Sequence, residues 1–286
     1  MVENGYMDHY FPQWLMGNWC DDRNEVWCFD KRSQKVKKKG TSCFARQKDL
    51  NKSDLTNLDL EATVFAELDN KHSRYAGPLL LYYVGKKKRV PKDAMRFFIE
   101  LCLWTAVRNK RLEGWVDAID FRSSFASDDI LQACTDAEIT KLVRLQFCKL
   151  CHDDVMEKEI KRLTKDFYHF FVVSDNRFIT SDLPVQEFGS DVAEAWLDCK
   201  PLSDNLCSLI MFPVHPSVMF VATRHKEFAK CHRRFVTDNK LVEANYDAHI
   251  NSDAEELYFP YPIYDSKNLP VEKMADAIER QKGPQV

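Results

Sequence analysis

Glycine is scarce in this chain, with eight among 286 residues, and the glycine-built signatures are missing with it. No Gly-x-x-x-x-Gly-Lys loop and no Gly-x-Gly-x-x-Gly turn is present, which excludes the usual backbone cradles for nucleotide phosphates. A Gly-x-Ser-x-Gly elbow and a His-Glu-x-x-His pair are also absent, so a serine hydrolase of that type and a zinc protease are disfavoured. Long apolar runs are lacking too. The longest, Leu79–Val84, is far shorter than the ~20 residues that span a bilayer. The opening residues show no basic start, apolar stretch and small-residue cleavage site, so a cytoplasmic protein with no membrane partner is expected. Nor does one charge dominate. The 41 basic and 44 acidic residues leave a net −3, with no global pull toward nucleic acid or membrane.

Ten cysteines are present, and in a reducing compartment they read as thiols rather than disulfide staples. Cys148-Lys-Leu-Cys151-His152 has the spacing of a c-type haem attachment site, but it sits inside an amphipathic helical pattern, so no haem is expected. Cys231-His232 would complete a zinc set with the same pair. Small buried core residues are the preferred reading of these cysteines.

The pattern of apolar residues places the elements. A short helix is expected after Pro12, over Gln13 to Trp19, and a hairpin follows from the alternating Glu25–Asp30 segment into a basic strand ending near Phe44. Leu60, Val64, Phe65 and Leu68 have helical spacing. A second long helix begins near Pro91, with Met95, Phe98, Ile99, Cys102, Leu103 and Ala106 on its buried stripe. Asp136 is expected to cap a third, whose last part, Asp153 to Lys165, is charged and read as solvated. Beyond it, Phe167–Val173 and Arg177–Ser181 flank Ser174-Asp175-Asn176 as one hairpin, and Cys207–Phe212 and Val218–Thr223 make another. Asn239 to His249 returns to helix, and the tail near Gly283 is expected to fray. The whole reads as an α+β fold, an antiparallel sheet built from hairpins against a helical layer, in a single domain over 1–286.

Two islands carry chemistry. Asp8-His9-Tyr10-Phe11-Pro12-Gln13-Trp14-Leu15 and Phe178-Ile179-Thr180-Ser181-Asp182-Leu183-Pro184 each set a polar side chain among apolar ones. Such groups are costly to bury unpaired, so they mark either a hydrogen-bond network or a working site. His9 is a candidate metal ligand or proton carrier, and its bland alternative is a satisfied core histidine. The alternative for Asp182 is a carboxylate closing an Asx-type turn. Glu61 and Arg108 read equally as parts of a site and as a structural ion pair. Histidine with two carboxylates, His9 with Glu61 and Asp182, is a ligand set for a hard divalent cation such as Mg or Mn that polarises a phosphate ester. Two lysine-rich runs, Lys31–Lys39 and Lys86–Lys92, would grip phosphates, although a solvated face or a protected sheet edge explains them as well.

The chain resembles the bacterial domain of unknown function 4238. The likeness rests on His9-Tyr10-x-Pro12-Gln13 with Leu15 and Trp19, the Val26–Lys31 strand, Lys48-Asp49-Leu50, Glu61 and Arg108. It continues through Phe178–Pro184, Met211–Pro216 and Asn245, and so spans roughly residues 8 to 260. Leu183 stands where the family has asparagine, which removes a polar neighbour of Asp182, and His215 stands where the family has serine. The resemblance implies a fold and a candidate site but no reaction; its bacterial character suggests a phage-defence effector. The leading expectation is a metal-dependent phosphodiester hydrolase, a nuclease. In it Asp182 and Glu61 hold the cation, His9 is ligand or base, and Gln13 and Arg108 orient the phosphate. The alternatives are a non-catalytic module that binds a partner protein or RNA, and a sensor of a nucleotide or small ligand. Oligomeric state is not legible.

Overall fold

The computed structural model describes residues 7–9, 11–40, 43, 46–48, 50–53, 58–75, 89–109, 132–175, 177–191 and 206–260. Tyr10, Phe44, Asp49, Asn176, Lys86–Lys88 and the tail near Gly283 lie outside these. In chain order the strands are β1 (Met7–His9), β2 (Glu25–Asp30), β3 (Lys35–Gly40), β4 (Arg46–Lys48), β5 (Lys52–Ser53), β6 (Leu58–Asp59) and β7 (Tyr168–Val173). They continue as β8 (Thr180–Ser181), β9 (Gln186–Phe188), β10 (Leu209–His215), β11 (Val218–Thr223), β12 (Phe235–Val236) and β13 (Glu256–Phe259). The helices are α1 (Gln13–Met16), α2 (a π turn, Glu61–Phe65, running on as α-helix over 66–75) and α3 (Lys92–Arg108). After them come α4 (Asp136–Leu150), α5 (Met156–Asp166), joined to α4 by a second π turn at Cys151–Val155, and α6 (Asn239–Asn251).

The fold is α+β. One sheet has the order β12-β7-β11-β10-β9 and the other β3-β2-β13-β8, while β1-β4 and β5-β6 form two small ladders. All pairings are antiparallel except β12 with β7. β3 is largely exposed, whereas β7, β10, β11 and β13 are buried on both faces, and strand alternation shows how. Phe171, Phe212, Phe220 and Tyr258 point into a core shared with α2, α3, α4 and α5. Their neighbours Phe170, Val172, Met211, Met219, Val221, Leu257 and Phe259 point into a second core closed by α6. Because successive side chains alternate, one run of apolar residues serves two cores.

Three expectations change. The segments 167–173 and 177–181 are not a hairpin: β7 already has β11 on one side and β12 on the other, so β8 pairs with β13 in the other sheet. Ser174 and Phe178 donate their N–H groups to the carbonyls of Ser217 and Pro216, which redirects the chain between sheets. Thr135, not Asp136, caps α4, in a reciprocal capping box with Glu138. The charged Asp153–Lys165 stretch is only half solvated, since Met156, Ile160 and Leu163 bury one face of α5. No described helix is long and apolar enough to cross a membrane.

Side-chain ties to backbone lock the sheets to their surroundings. Trp19 Nε1 donates to the Phe178 carbonyl at 3.2 Å, and Asn18 Nδ2 to the Val214 carbonyl at 2.8 Å. Asn245 on α6 clamps Ile179 from both ends, accepting its N–H at 3.0 Å and donating to its C=O at 3.2 Å. Both partners are buried. Asn245→Leu strips both bonds and should lower unfolding stability by about 3 kcal/mol, read as a fall in the urea midpoint; an unchanged midpoint would contradict this role.

Candidate functional site

The C-terminal end of α3 gathers the polar residues. Arg108 is 3 % exposed, while the carboxylates beside it, Glu61 and Asp69, are 35 % and 27 % exposed. Nη2 donates to both oxygens of Glu61 at 3.0 and 3.1 Å, and Nη1 to Asp69 Oδ2 at 2.7 Å. The guanidinium also lies over the Phe65 ring, 4.6 Å from its centroid. Eight residues apart on a regular α-helix, Glu61 and Asp69 would be offset by about 80° around the axis. The π turn takes up one extra residue and reduces the offset to that of an i, i+7 pair, about 20°, so both reach one arginine.

The network continues inward. Asn51 donates to Glu61 Oε2 at 2.9 Å and accepts from Arg144 Nη2 at 3.0 Å. Arg144, also buried, donates to the Leu50 carbonyl at 3.0 Å and to the Arg108 carbonyl at 2.6 Å, where it closes the end of α3. Next in the chain, Asn109 donates to the Asp182 carbonyl at 2.7 Å. A narrow pocket with space on the scale of one water lies alongside, lined by Pro12, Phe65, Asp69, His72, Trp104 and Arg108 among others. Pro12 thus brings the N-terminal island to Arg108, and Asn109 brings the Phe178–Pro184 island to the same helix end.

Asp182 is placed differently from Glu61. It is 1 % exposed, and its Oδ1 accepts the Glu256 N–H at 3.2 Å, while its own N–H donates to the Glu256 carbonyl at 3.2 Å. The local turn is made by Ser181, whose Oγ accepts the Leu183 N–H at 3.1 Å. Lys31 lies near enough for its charge to be felt: burial lowers its pKa, and Asp182 and Asp253 oppose that. Ser181 Oγ is also 2.9 Å from His249 Nδ1. Burial, then the charge of Lys31, holds His249 down to about 3, so this pair is a neutral, sealed contact. Leu183 packs into the second core, which gives its apolar side chain a structural use.

Of the sequence-predicted site residues, Glu61 and Arg108 meet as an ion pair. Gln13 is exposed on α1, beside Pro12. His9 lies on β1 opposite Arg46 on β4. Among the described residues no group of three or more His, Cys, Asp or Glu is placed to hold a metal ion. Cys148 and Cys151 are buried within the α4–α5 helix, with the Cys148 thiol donating to the Val107 carbonyl at 3.6 Å. Burial, then the charge of Cys148, pushes the Cys151 thiol up to about 11, the opposite of an activated nucleophile. The first lysine run is largely paired. On β3, at one end of its sheet, Lys37 meets Asp30 at 3.4 Å, Lys38 meets Asp21 at 2.6 Å, and Lys39 meets Glu256.

A family model described as a protein of unknown function (DUF4238) matches residues 8–258. The chain belongs to that family. No match was found among curated proteins or among solved structures.

Asn51, Asp69, Asn109 and Arg144 were not singled out from the sequence. Asp69 sits on a helical face where charge is ordinary, and only the π turn brings it to its partner. A polar residue on an otherwise apolar stripe, as Arg144 is between Ile139, Leu145 and Cys148, is the signal that would have found one of them.

The helix α2 extends the cluster to Lys71, His72 and Glu100. Burial resists ionisation of Glu100, but His72 and Lys71 overcome it and bring the carboxyl down to about 2. Lys71 Nζ lies 2.7 Å from both oxygens, whereas His72 Nε2 stands 3.8 Å away, so lysine makes the closer contact. A depressed carboxyl stabilises the fold above its unfolded pKa and loses that contribution as pH falls through the folded one. Glu100→Gln should therefore flatten the fall in stability between about pH 4.5 and 2 in acid titrations followed by circular dichroism. A steep fall retained in the variant would contradict this.

Proposed function

We propose that the protein is a non-catalytic binding module, in which Asp182, Glu61 and Arg108 hold the fold and partner recognition lies elsewhere on the surface. The burial of both expected site residues carries this reading. Asp182, the expected cation ligand, is 1 % exposed and bonded to β13. Arg108, the expected phosphate clamp, is itself buried and already spanned by Glu61 and Asp69. A cation between those carboxylates would have to displace the guanidinium, and breaking a buried pair leaves an uncompensated charge.

The second reading, a Mg- or Mn-dependent phosphodiester hydrolase, is favoured by the partial exposure of Glu61 and Asp69 beside the pocket. In that reading the two carboxylates receive the cation, and Gln13 orients the ester. Incubating the protein with a mixed DNA and RNA panel and Mg2+ or Mn2+ separates the two. The module leaves every substrate intact, and Asp182→Ala lowers its stability by about 2 kcal/mol in urea. Chelator-sensitive cleavage that is lost in a folded Glu61→Gln variant would overturn the module and establish the hydrolase.

A further inference from the structure

Where the second basic run enters the fold it meets another cationic segment. Arg89 and Lys92, both exposed, lead into α3, and the Val90 N–H between them donates to the Arg233 carbonyl at 2.7 Å. His232-Arg233-Arg234 links the short helical turn Lys226–Cys231 to β12 and is pinned to β7. The Arg233 N–H donates to the His169 carbonyl at 2.6 Å, and the Phe171 N–H to the Arg234 carbonyl at 2.9 Å. The His169 N–H donates to His232 Nδ1 at 3.1 Å.

Four cationic or imidazole side chains are thereby drawn together. Burial first, then the positive charges of Arg233, Arg89 and Lys92, lowers the pKa of His232. Asp93 is the acid of the first turn of α3. Among the described residues none of Arg89, Lys92, His232 and Arg233 is ion-paired, in contrast to the paired lysines of β3.

Three further observations point to a ligand. Arg233 is held at φ 61°, left-handed backbone in which a glycine would be unstrained. Such strain persists where surrounding structure enforces it, and it concentrates at working sites. Arg233 Nε is buried without a partner, and so is Nε2 of the neighbouring His169, a residue 1 % exposed. The positive end of α3, whose Pro91 cap offers no side-chain hydrogen bond, adds its dipole to the same place.

We propose that Arg89, Lys92, His232 and Arg233 form a site for the phosphodiester backbone of a single-stranded nucleic acid. The aromatic setting selects a nucleic acid over free phosphate. The half-buried Tyr168 ring lies 6.1 Å from the His232 ring, edge to face, beside the cations. Cations tracking phosphates next to rings that take bases is the usual composition of single-strand sites. The assignment rests on the binding-module reading and names its partner.

The test is fluorescence anisotropy of short labelled single-stranded RNA and DNA with the full chain, from low to physiological salt. Wild type should bind with strong salt dependence. Arg233→Gly relieves the positive φ and so should stay folded; it should weaken binding about tenfold and lower the salt slope by about 0.7. Arg89→Gln should act in the same direction, while Lys38→Gln on the paired edge strand should bind as wild type. No salt-dependent binding by wild type, variants that bind equally well, or binding of inorganic phosphate without binding of oligonucleotide would each overturn the site. Running the recovered oligonucleotides on a gel keeps the two readings apart: cleavage defeats the non-catalytic module, whereas intact but unbound oligonucleotide defeats this site alone.

Discussion

A buried guanidinium cannot stand alone, and much of this molecule is arranged around that constraint. Arg108 sits at the last turn of α3 with its charge answered by Glu61 and Asp69. Satisfying it requires α2 to present two carboxylates on one face, which the π turn accomplishes. Satisfying Glu61 in turn draws in Asn51, and Asn51 draws in Arg144 from α4. The chain of bonds thus joins α2, α3, α4 and the segment before β5 through polar contacts that apolar packing alone would not orient. Low local dielectric makes each such bond strong when complete and costly when one partner is missing.

The same economy of position holds in the sheets. The central strands β7, β10, β11 and β13 are buried on both faces, and around them polar side chains meet neighbouring backbone groups. Asn245, Trp19 and Asn109 each meet a carbonyl of the 178–182 segment. That segment crosses from one sheet to the other and has few ladder bonds of its own, since β8 is only two residues long. Side chains from three distant parts of the chain supply what the ladder does not.

Much of this was legible from the residues. Periodicity located the Pro91 helix, the Asn239 helix, the Glu25–Asp30 strand and the β10–β11 hairpin, because each has a single dominant pattern. The Glu61–Arg108 pair was legible as a structural possibility, since both flank apolar stripes. The Ser174-Asp175-Asn176 turn misled because turn chemistry reports that the chain bends and not which strand it joins afterwards. Asp182 was expected to work locally or at a metal, yet its bond runs to Glu256, 74 residues away. Contacts at that separation depend on sheet order, which no local pattern encodes. The cationic cluster at Arg233 was half visible, as the end of a basic run, but its other half comes from a loop brought near by β12.

The central claim is that the polar residues around Arg108 hold the fold. A double-mutant cycle in urea with Arg108→Leu and Glu61→Leu addresses it directly. The account predicts that Arg108→Leu alone costs about 3 kcal/mol because two carboxylates lose their cation, and that adding Glu61→Leu restores part of that loss. Arg108→Leu within about 0.5 kcal/mol of wild type, or two losses that simply add, would contradict it.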